Sequence, residues 1–92
     1  MKVTIKSFAT LRKLMDKELI LEIKEGATVG DTIKELTQKY DGLFNELFES
    51  SGVIRPYVNI LVNGKNIHFI DKLETKLKDE DIISLFPPIA GG

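Results

Sequence analysis

The last residues of the sequence carry no reactive side chain, and the chemistry they offer is that of a chain terminus. Residues 87–92 read Pro-Pro-Ile-Ala-Gly-Gly. Proline fixes φ and lacks a backbone donor, so Pro87 and Pro88 cannot continue a sheet ladder and leave the segment extended. Gly91 and Gly92 lack a Cβ, which lets the backbone pass through a narrow channel. Six extended residues reach roughly 20 Å, so this pattern predicts a tail that carries its terminal carboxylate into another protein's active site.

A plain disordered end, or a scar of expression, is the alternative interpretation of the same residues. Two terminal glycines arise by chance in about one chain in two hundred, which makes them informative but not decisive. The contrast with the preceding residues favours a functional tail. The sequence follows a regular apolar and polar pattern up to Phe86, and the residues after it no longer follow a pattern that could pack on the domain. We therefore predict a folded domain over residues 1–86 and an extended tail over residues 87–92.

Side chains that could perform catalysis do not form a recognisable set. His68 is the only histidine, and we interpret it as an ordinary polar residue beside a hairpin. The acidic residues 79–81 are interpreted as a solvated turn. The sequence has no cysteine, which excludes disulfides, thiolate metal sites and a cysteine nucleophile. We expect neither a metal nor a bound cofactor, and a carrier used by other enzymes rather than an enzyme.

Composition limits the classes of partner. The chain has 92 residues, the size of one small domain, with 13 basic and 14 acidic residues interspersed along it. Nothing in this charge pattern attracts a phosphate backbone, so no nucleic-acid partner is expected. No apolar run approaches the length that spans a bilayer, and the strand pattern begins at the first residues. We therefore expect no signal peptide, no membrane partner and a cytoplasmic location.

The periodicity of apolar residues predicts an α+β fold. Alternation of apolar and polar residues predicts five strands, at residues 2–8, 18–24, 57–63, 66–69 and 82–86. After the second strand, Thr28 and Asp31 form a capping box, and apolar residues follow at helical spacing as far as Tyr40. This order predicts a mixed sheet with one main crossing helix, a ubiquitin-like β-grasp. In such a fold the first and last strands lie side by side and parallel at the centre of the sheet.

Strand parity also predicts an exposed apolar patch. If Ile60 and Val62 point into the core, Leu61 points out. The same rule puts Phe86 on the open face of the sheet, where Phe8, at the end of the first strand, is expected to join it. Exposed apolar patches mark partner sites, so we predict a docking face beside the start of the tail. The alternative is that a loop covers Leu61 or Phe86.

Several of these stretches match one family. The matching residues are Phe8-Ala9-Thr10-Leu11-Arg12, Val29-Gly30-Asp31, Leu61-Val62-Asn63-Gly64 and Phe86-Pro87-Pro88-Ile89-Ala90-Gly91-Gly92. Over essentially its whole length the chain resembles the ubiquitin-like sulfur carriers of the MoaD/ThiS family, and most of all the small subunit of molybdopterin synthase.

The resemblance implies a mechanism centred on Gly92. A ubiquitin-activating-type adenylating enzyme would use ATP to convert the carboxylate to an acyl-adenylate, and a sulfur donor would replace AMP to give a thiocarboxylate. Docked on the large subunit of molybdopterin synthase, which would supply the catalytic groups, the thiocarboxylate would deliver sulfur for the dithiolene of the molybdenum cofactor. The reacting end would be Gly91 and Gly92, and the partner-binding residues would be Phe8, Leu61, Phe86, Pro87, Pro88, Ile89 and Ala90.

The chain departs from the shortest family members in length. The stretch from Leu43 to Arg55 is longer than theirs. It resembles the longer forms of archaea, a resemblance that implies service in tRNA thiolation or attachment to lysines. Related carriers for thiamine synthesis, tRNA thiolation or lysine conjugation are therefore the second hypothesis. A ubiquitin-like module that binds partners without covalent chemistry is the third.

Overall fold

A five-stranded sheet and two helices account for the regular structure of residues 1–88, the part of the chain that the computed structural model describes. The elements are β1 (Lys2–Ser7), β2 (Glu18–Glu22), α1 (Val29–Lys39), α2 (Leu43–Leu47), β3 (Asn59–Val62), β4 (Lys65–Asn66) and β5 (Ile82–Phe86). Short 3-10 turns occupy Ala9–Lys13, Ile67–Phe69 and Lys72–Glu74. The prediction of a fourth strand over residues 66–69 is largely wrong, because the side-chain oxygen of Asn66 accepts a hydrogen bond from the His68 amide at 2.9 Å and starts a 3-10 turn.

The order of the strands in the sheet is β2-β1-β5-β3-β4. β1 pairs with β5 in parallel and with β2 in antiparallel fashion, and β3 lies antiparallel to β5. The predicted parallel pairing of the first and last strands at the centre is therefore confirmed, as is the α+β β-grasp architecture of a mixed sheet with one main helix. Because β5 is the middle strand, the chain leaves the sheet from its centre.

The core lies between one face of the sheet and α1. Residues of the three central strands alternate between buried and more exposed positions, as expected for a sheet with one covered face. The buried residues of these strands and of α1 include Val3, Ile5, Val29, Ile33, Leu36, Ile60, Val62, Ile83 and Leu85. The opposite, open face of the sheet therefore carries the remaining side chains of β1, β3 and β5.

The start of α1 agrees with the capping box in the sequence. The Asp31 amide donates to the Thr28 hydroxyl at 3.1 Å, and the Thr28 amide donates to the Asp31 carboxylate at 3.0 Å. Gly30 suits a tightly packed position, because a Cβ there would lie 3.0 Å from the carbonyl oxygen of Leu73. The capping box fixes where α1 begins, and the absence of a Cβ at Gly30 allows α1 to lie close to the turn at Lys72–Glu74.

The far end of α1 is joined to the loop before β2. The Tyr40 hydroxyl donates a hydrogen bond to the Asp16 carboxylate at 3.3 Å. Burial raises the pKa of the Tyr40 phenol above its ordinary value of 10.0, and the charge of Asp16 raises it further. A raised folded-state pKa favours the neutral phenol, so this contribution to stability is complete below pH 10 and is lost only as the pH rises through the folded-state value.

A polar clamp ties the β3–β4 hairpin to the start of β5. The Asn63 side chain donates to the Asp81 carboxylate at 2.8 Å and accepts from the Ile82 amide at 2.9 Å. Asp81 also accepts from the Lys78 amide at 2.8 Å and is 9% exposed. The interpretation of residues 79–81 as a solvated turn is therefore wrong at Asp81, whose carboxylate is buried and fully used in holding the sheet.

We expect Asn63→Ala to lower the free energy of unfolding by about 1–3 kcal/mol, because it removes both side-chain bonds of the clamp and leaves Asp81 short of a donor. The backbone of Asn63 is left-handed, at a φ of 51°, which asparagine tolerates better than alanine. Urea unfolding measures the loss. Asn45→Ala is the matched control, since Asn45 is exposed and its contact with Arg55 uses only its backbone oxygen. Equal unfolding midpoints for the two variants would show that the clamp contributes nothing.

Candidate docking site at the end of the central strand

The end of β5 lies between the end of β1 and the start of β3. Phe86 pairs with Asn59 of β3, and on the other side the Phe8 amide donates to the Leu85 carbonyl oxygen at 3.1 Å. The parallel pairing of β1 with β5 brings Phe8 and Phe86 to the same edge of the sheet, although they are far apart in sequence. This edge is the point from which the chain continues into residues 87–92.

Phe8 and Phe86 stack on each other on the open face. Their ring centroids are 4.4 Å apart and the ring planes differ by 10°. The guanidinium carbon of Arg12 lies 5.1 Å from the Phe8 ring centroid, and its Nε donates to the Ser7 carbonyl oxygen at 2.9 Å. An aromatic pair of this kind contributes about 0.5–1.5 kcal/mol beyond its buried area, so the stack holds the Phe86 ring in one position.

Leu61 completes a cluster that we call the tail face, made of Phe8, Leu61 and Phe86. Leu61 pairs with Ser84, and Phe86 follows Ser84 by two residues, so Leu61 and Phe86 are diagonal neighbours on adjacent strands. The predicted parity is confirmed, because Ile60, Val62, Ile83 and Leu85 are buried. All three residues of the tail face are half-buried. They are less exposed than parity alone suggests, since Phe8 and Phe86 cover each other.

The tail face is confined to one end of the sheet. Next to it runs a polar row in which Lys6 of β1 pairs with Ser84 of β5, and the Lys6 ammonium lies 4.0 Å from the Glu18 carboxylate of β2. Beyond this row, Ile82 is 37% exposed and Ile20 is 69% exposed. The row of Lys6 and Ser84 therefore separates Phe8 and Phe86 from the apolar residues at the other end of the open face.

The structure describes two of the six predicted tail residues. Pro87 is buried and Pro88 is half-buried, so both contact the domain rather than standing clear of it. Ile89, Ala90, Gly91 and Gly92 lie outside the described residues, and their proposed roles stay predictions. The contact of Arg12 with the Phe8 ring was not predicted from the sequence, although both residues lie in one of the stretches that match the family. The spacing of Arg12 from Phe8 is the only signal in the sequence that could have suggested the contact.

The described part of the chain holds no cluster of potential metal ligands. Among residues 1–88, no group of three or more His, Asp or Glu side chains is arranged to hold a metal ion. His68 is exposed, and its ring meets that of Phe69 edge-on at 5.2 Å. None of the helices within this range is long and apolar enough to cross a bilayer.

Comparison with known proteins shows which family and which proteins this chain is similar to. The model of the ThiS family matches residues 5–92. The chain is 40% identical over 93 residues to small archaeal modifier protein 3 of Haloferax volcanii, with complete coverage of both chains. It is 35% identical over 69 residues to the sulfur carrier protein CysO of Mycobacterium tuberculosis, covering 73% of this chain and 74% of that protein.

A solved structure agrees with the fold. A chain of the crystal structure of the Amycolatopsis orientalis BexX/CysO complex superimposes with a TM-score of 0.77 at 30% identity, covering 98% of this chain and 99% of that one. In that crystal structure, the protein named CysO is in a complex with BexX. Since the family model extends over nearly the whole chain, the protein belongs to the ThiS family of ubiquitin-like sulfur carriers.

Proposed function

We propose that Gly92 is the C-terminal residue of this protein and that the protein carries sulfur as a thiocarboxylate on it. The observation that supports the proposal best is the position of β5. This strand, which leads directly into residues 87–92, is the centre of the sheet, and its last residue belongs to the tail face. The domain therefore offers a partner a rigid surface at the root of a segment that ends in two glycines.

The chemistry requires an activating partner, because a free carboxylate is a poor electrophile. A ubiquitin-activating-type adenylating enzyme joins the Gly92 carboxylate to the α-phosphate of ATP and releases pyrophosphate. Hydrosulfide, or an equivalent sulfur donor, then attacks the acyl carbon, forming a C–S bond while the C–O bond to AMP breaks. The products are the thiocarboxylate, AMP and a proton. The terminal sulfur is then a good nucleophile at neutral pH.

The same acyl-adenylate can also react with a lysine amine of another protein, which would join Gly92 to that protein by an isopeptide bond. The relative from Haloferax volcanii named as a modifier, which matches this chain from end to end, favours this use. One activated terminus thus supports both sulfur transfer and protein modification. The two uses differ only in the nucleophile.

The second candidate function is that of the small subunit of molybdopterin synthase. It is favoured by the stretch from Phe8 to Arg12, which carries the resemblance to that subunit. Phe8 stacks on Phe86, and Arg12 lies over the Phe8 ring. In this use the tail face docks on the large subunit, residues 87–90 line the path into its active site, and the Gly92 thiocarboxylate gives its sulfur to the pterin precursor.

The proposal is tested by the intact mass of the protein after incubation with ATP, an adenylating enzyme of this kind and hydrosulfide. The expected result is a gain equal to one oxygen replaced by one sulfur, found on Gly92 in the fragmented C-terminal peptide. Adding a lysine-rich acceptor protein, or the large subunit with its precursor, then distinguishes the two uses. No gain with several adenylating enzymes, each shown to be active on a carrier of its own, would overturn the proposal.

A further inference from the structure

An apolar groove runs beside the tail face, on the side away from β1. It lies between the loop that precedes β3 and the 3-10 turn at Ile67–Phe69, and it is bounded at one end by Phe86, Pro87 and Pro88. Tyr57 and Phe69 both line the groove, and each is 81% exposed. Aromatic rings with this degree of exposure contribute little to the stability of the domain. Their exposure therefore indicates a surface that binds a partner.

Tyr57 occupies a backbone position that suits glycine. The Val58 amide donates to the Arg55 carbonyl oxygen at 3.3 Å, which closes a four-residue turn with Pro56 at its second position. Tyr57, at the third position, has a φ of 71°. Turns of this geometry favour glycine there, and a bulky residue in this conformation is strained. The strain and the exposure together indicate that the Tyr57 side chain is used outside the domain.

The charges around the groove have one sign. Its charged lining residues are Arg55 and Lys72, and the titratable His68 is also present, but none of the described residues that line it is an aspartate or a glutamate. Arg55 is fixed in place, because its Nε donates to the Asn45 carbonyl oxygen at 2.7 Å. In a chain with more acidic than basic residues, this surface selects for a partner that is both apolar and acidic.

We propose that the groove binds an extended segment of the activating enzyme that presents an apolar side chain flanked by carboxylates. The inference rests on the proposed function, since a protein that takes hold of the tail must pass over Pro87 and Pro88, which also line the groove. The apolar side chain sits between Tyr57 and Phe69, and the carboxylates face Arg55 and Lys72. The groove thus extends the tail face, with which it shares Leu61 and Phe86.

Two variants test the groove by kinetics. Tyr57→Gly removes the ring and relieves the strained φ, and Lys72→Glu reverses one charge. With the adenylating enzyme that acts on the wild-type chain, each should raise the KM for the carrier by about tenfold or more and leave kcat unchanged. Tyr57→Gly should also unfold at the same urea concentration as wild type or a higher one. The matched controls Lys34→Glu and Ile20→Ser, on exposed sites away from the groove, should leave KM unchanged.

The outcomes separate this inference from the function it rests on. If the wild-type chain reacts and both groove variants keep its KM, the groove inference is wrong and the carrier function stands. If the wild-type chain never reacts, the carrier function fails. The groove is then tested by NMR titration of the full chain with a peptide of one leucine, one phenylalanine and two aspartates. Chemical-shift changes at Val53, Tyr57 and Phe69 that do not occur with a control peptide, in which lysines replace the aspartates, support the inference. If the acidic peptide causes no changes at these residues, the inference is overturned.

A competing occupant is the chain's own terminal segment. If removal of residues 89–92 shifts the resonances of Tyr57 and Phe69 in the free protein, the groove holds that segment, and the proposal of a partner segment is overturned. If the resonances of both residues keep their positions, the groove is free to receive the partner, as we propose.

Discussion

Removal of Gly91 and Gly92 is expected to abolish thiocarboxylate formation completely. The shortened chain ends at Ala90, so its carboxylate stops roughly 7 Å short of the position that Gly92 reaches, and the Cβ of alanine obstructs a channel shaped for glycine. Intact-mass analysis after incubation with ATP, the adenylating enzyme and hydrosulfide should show an unmodified protein under conditions in which the full chain is converted.

The same deletion separates a carrier from a module that binds without covalent chemistry. The sheet ends at Phe86, so the urea midpoint of the deletion variant should match that of the full chain, and this measurement serves as the control for folding. A non-covalent module keeps its affinity and its function without the two glycines. A deletion variant that still gains sulfur would show that Gly92 is not the reacting residue.

Replacing Phe86 by aspartate should weaken binding to the activating enzyme by about 2 kcal/mol, or about thirtyfold in Kd. The carboxylate replaces a ring that stacks on Phe8 at 4.4 Å, and docking would bury that charge at the centre of the tail face without a partner. Calorimetric titration of the enzyme with each variant measures the loss. Phe86→Leu, which keeps an apolar side chain but not the stack, should bind with intermediate affinity.

Ile82→Asp is the matched control for this prediction. Ile82 lies on the same strand and the same face, at the far end beyond the polar row, and is already 37% exposed. A charge there should leave Kd nearly unchanged, while urea unfolding reports any loss of stability in either variant. If the two substitutions weaken binding equally, the docking surface covers the whole open face rather than the tail face.

The features that the sequence predicted well are those set by short-range periodicity. Ile60, Val62, Ile83 and Leu85 are buried because side chains on a strand alternate between faces, and one face here is covered. Thr28 starts α1 because the reciprocal bonds of a capping box involve only four consecutive residues. Local rules of this kind sufficed to order the strands and to place Leu61 and Phe86 on the open face.

The features that could not be predicted depend on contacts between distant parts of the chain. The stack of Phe8 on Phe86 exists only because β1 and β5 pair in a particular parallel register. Asp81 looks like a surface residue in a run of charges, and its burial is explained by its bonds with the Asn63 side chain and the Lys78 amide. Tyr57 contradicts the local preference for glycine at its position, so no pattern in the sequence indicates its left-handed backbone.

The central position of β5 links the presentation of the tail to the completion of synthesis. Domains generally fold as units, so a small domain completes its fold only after all of its segments have left the ribosome. A nascent chain that stops before Ile82 lacks β5, the strand that lies between β1 and β3. Without β5, the pair β2–β1 cannot join the pair β3–β4 in one sheet. The segment that carries Gly92 is thus attached only to chains whose last strand has been made. The tail face, which needs Phe8 at the end of β1 and Phe86 at the end of β5, therefore exists only in a chain whose last strand has been added to the sheet.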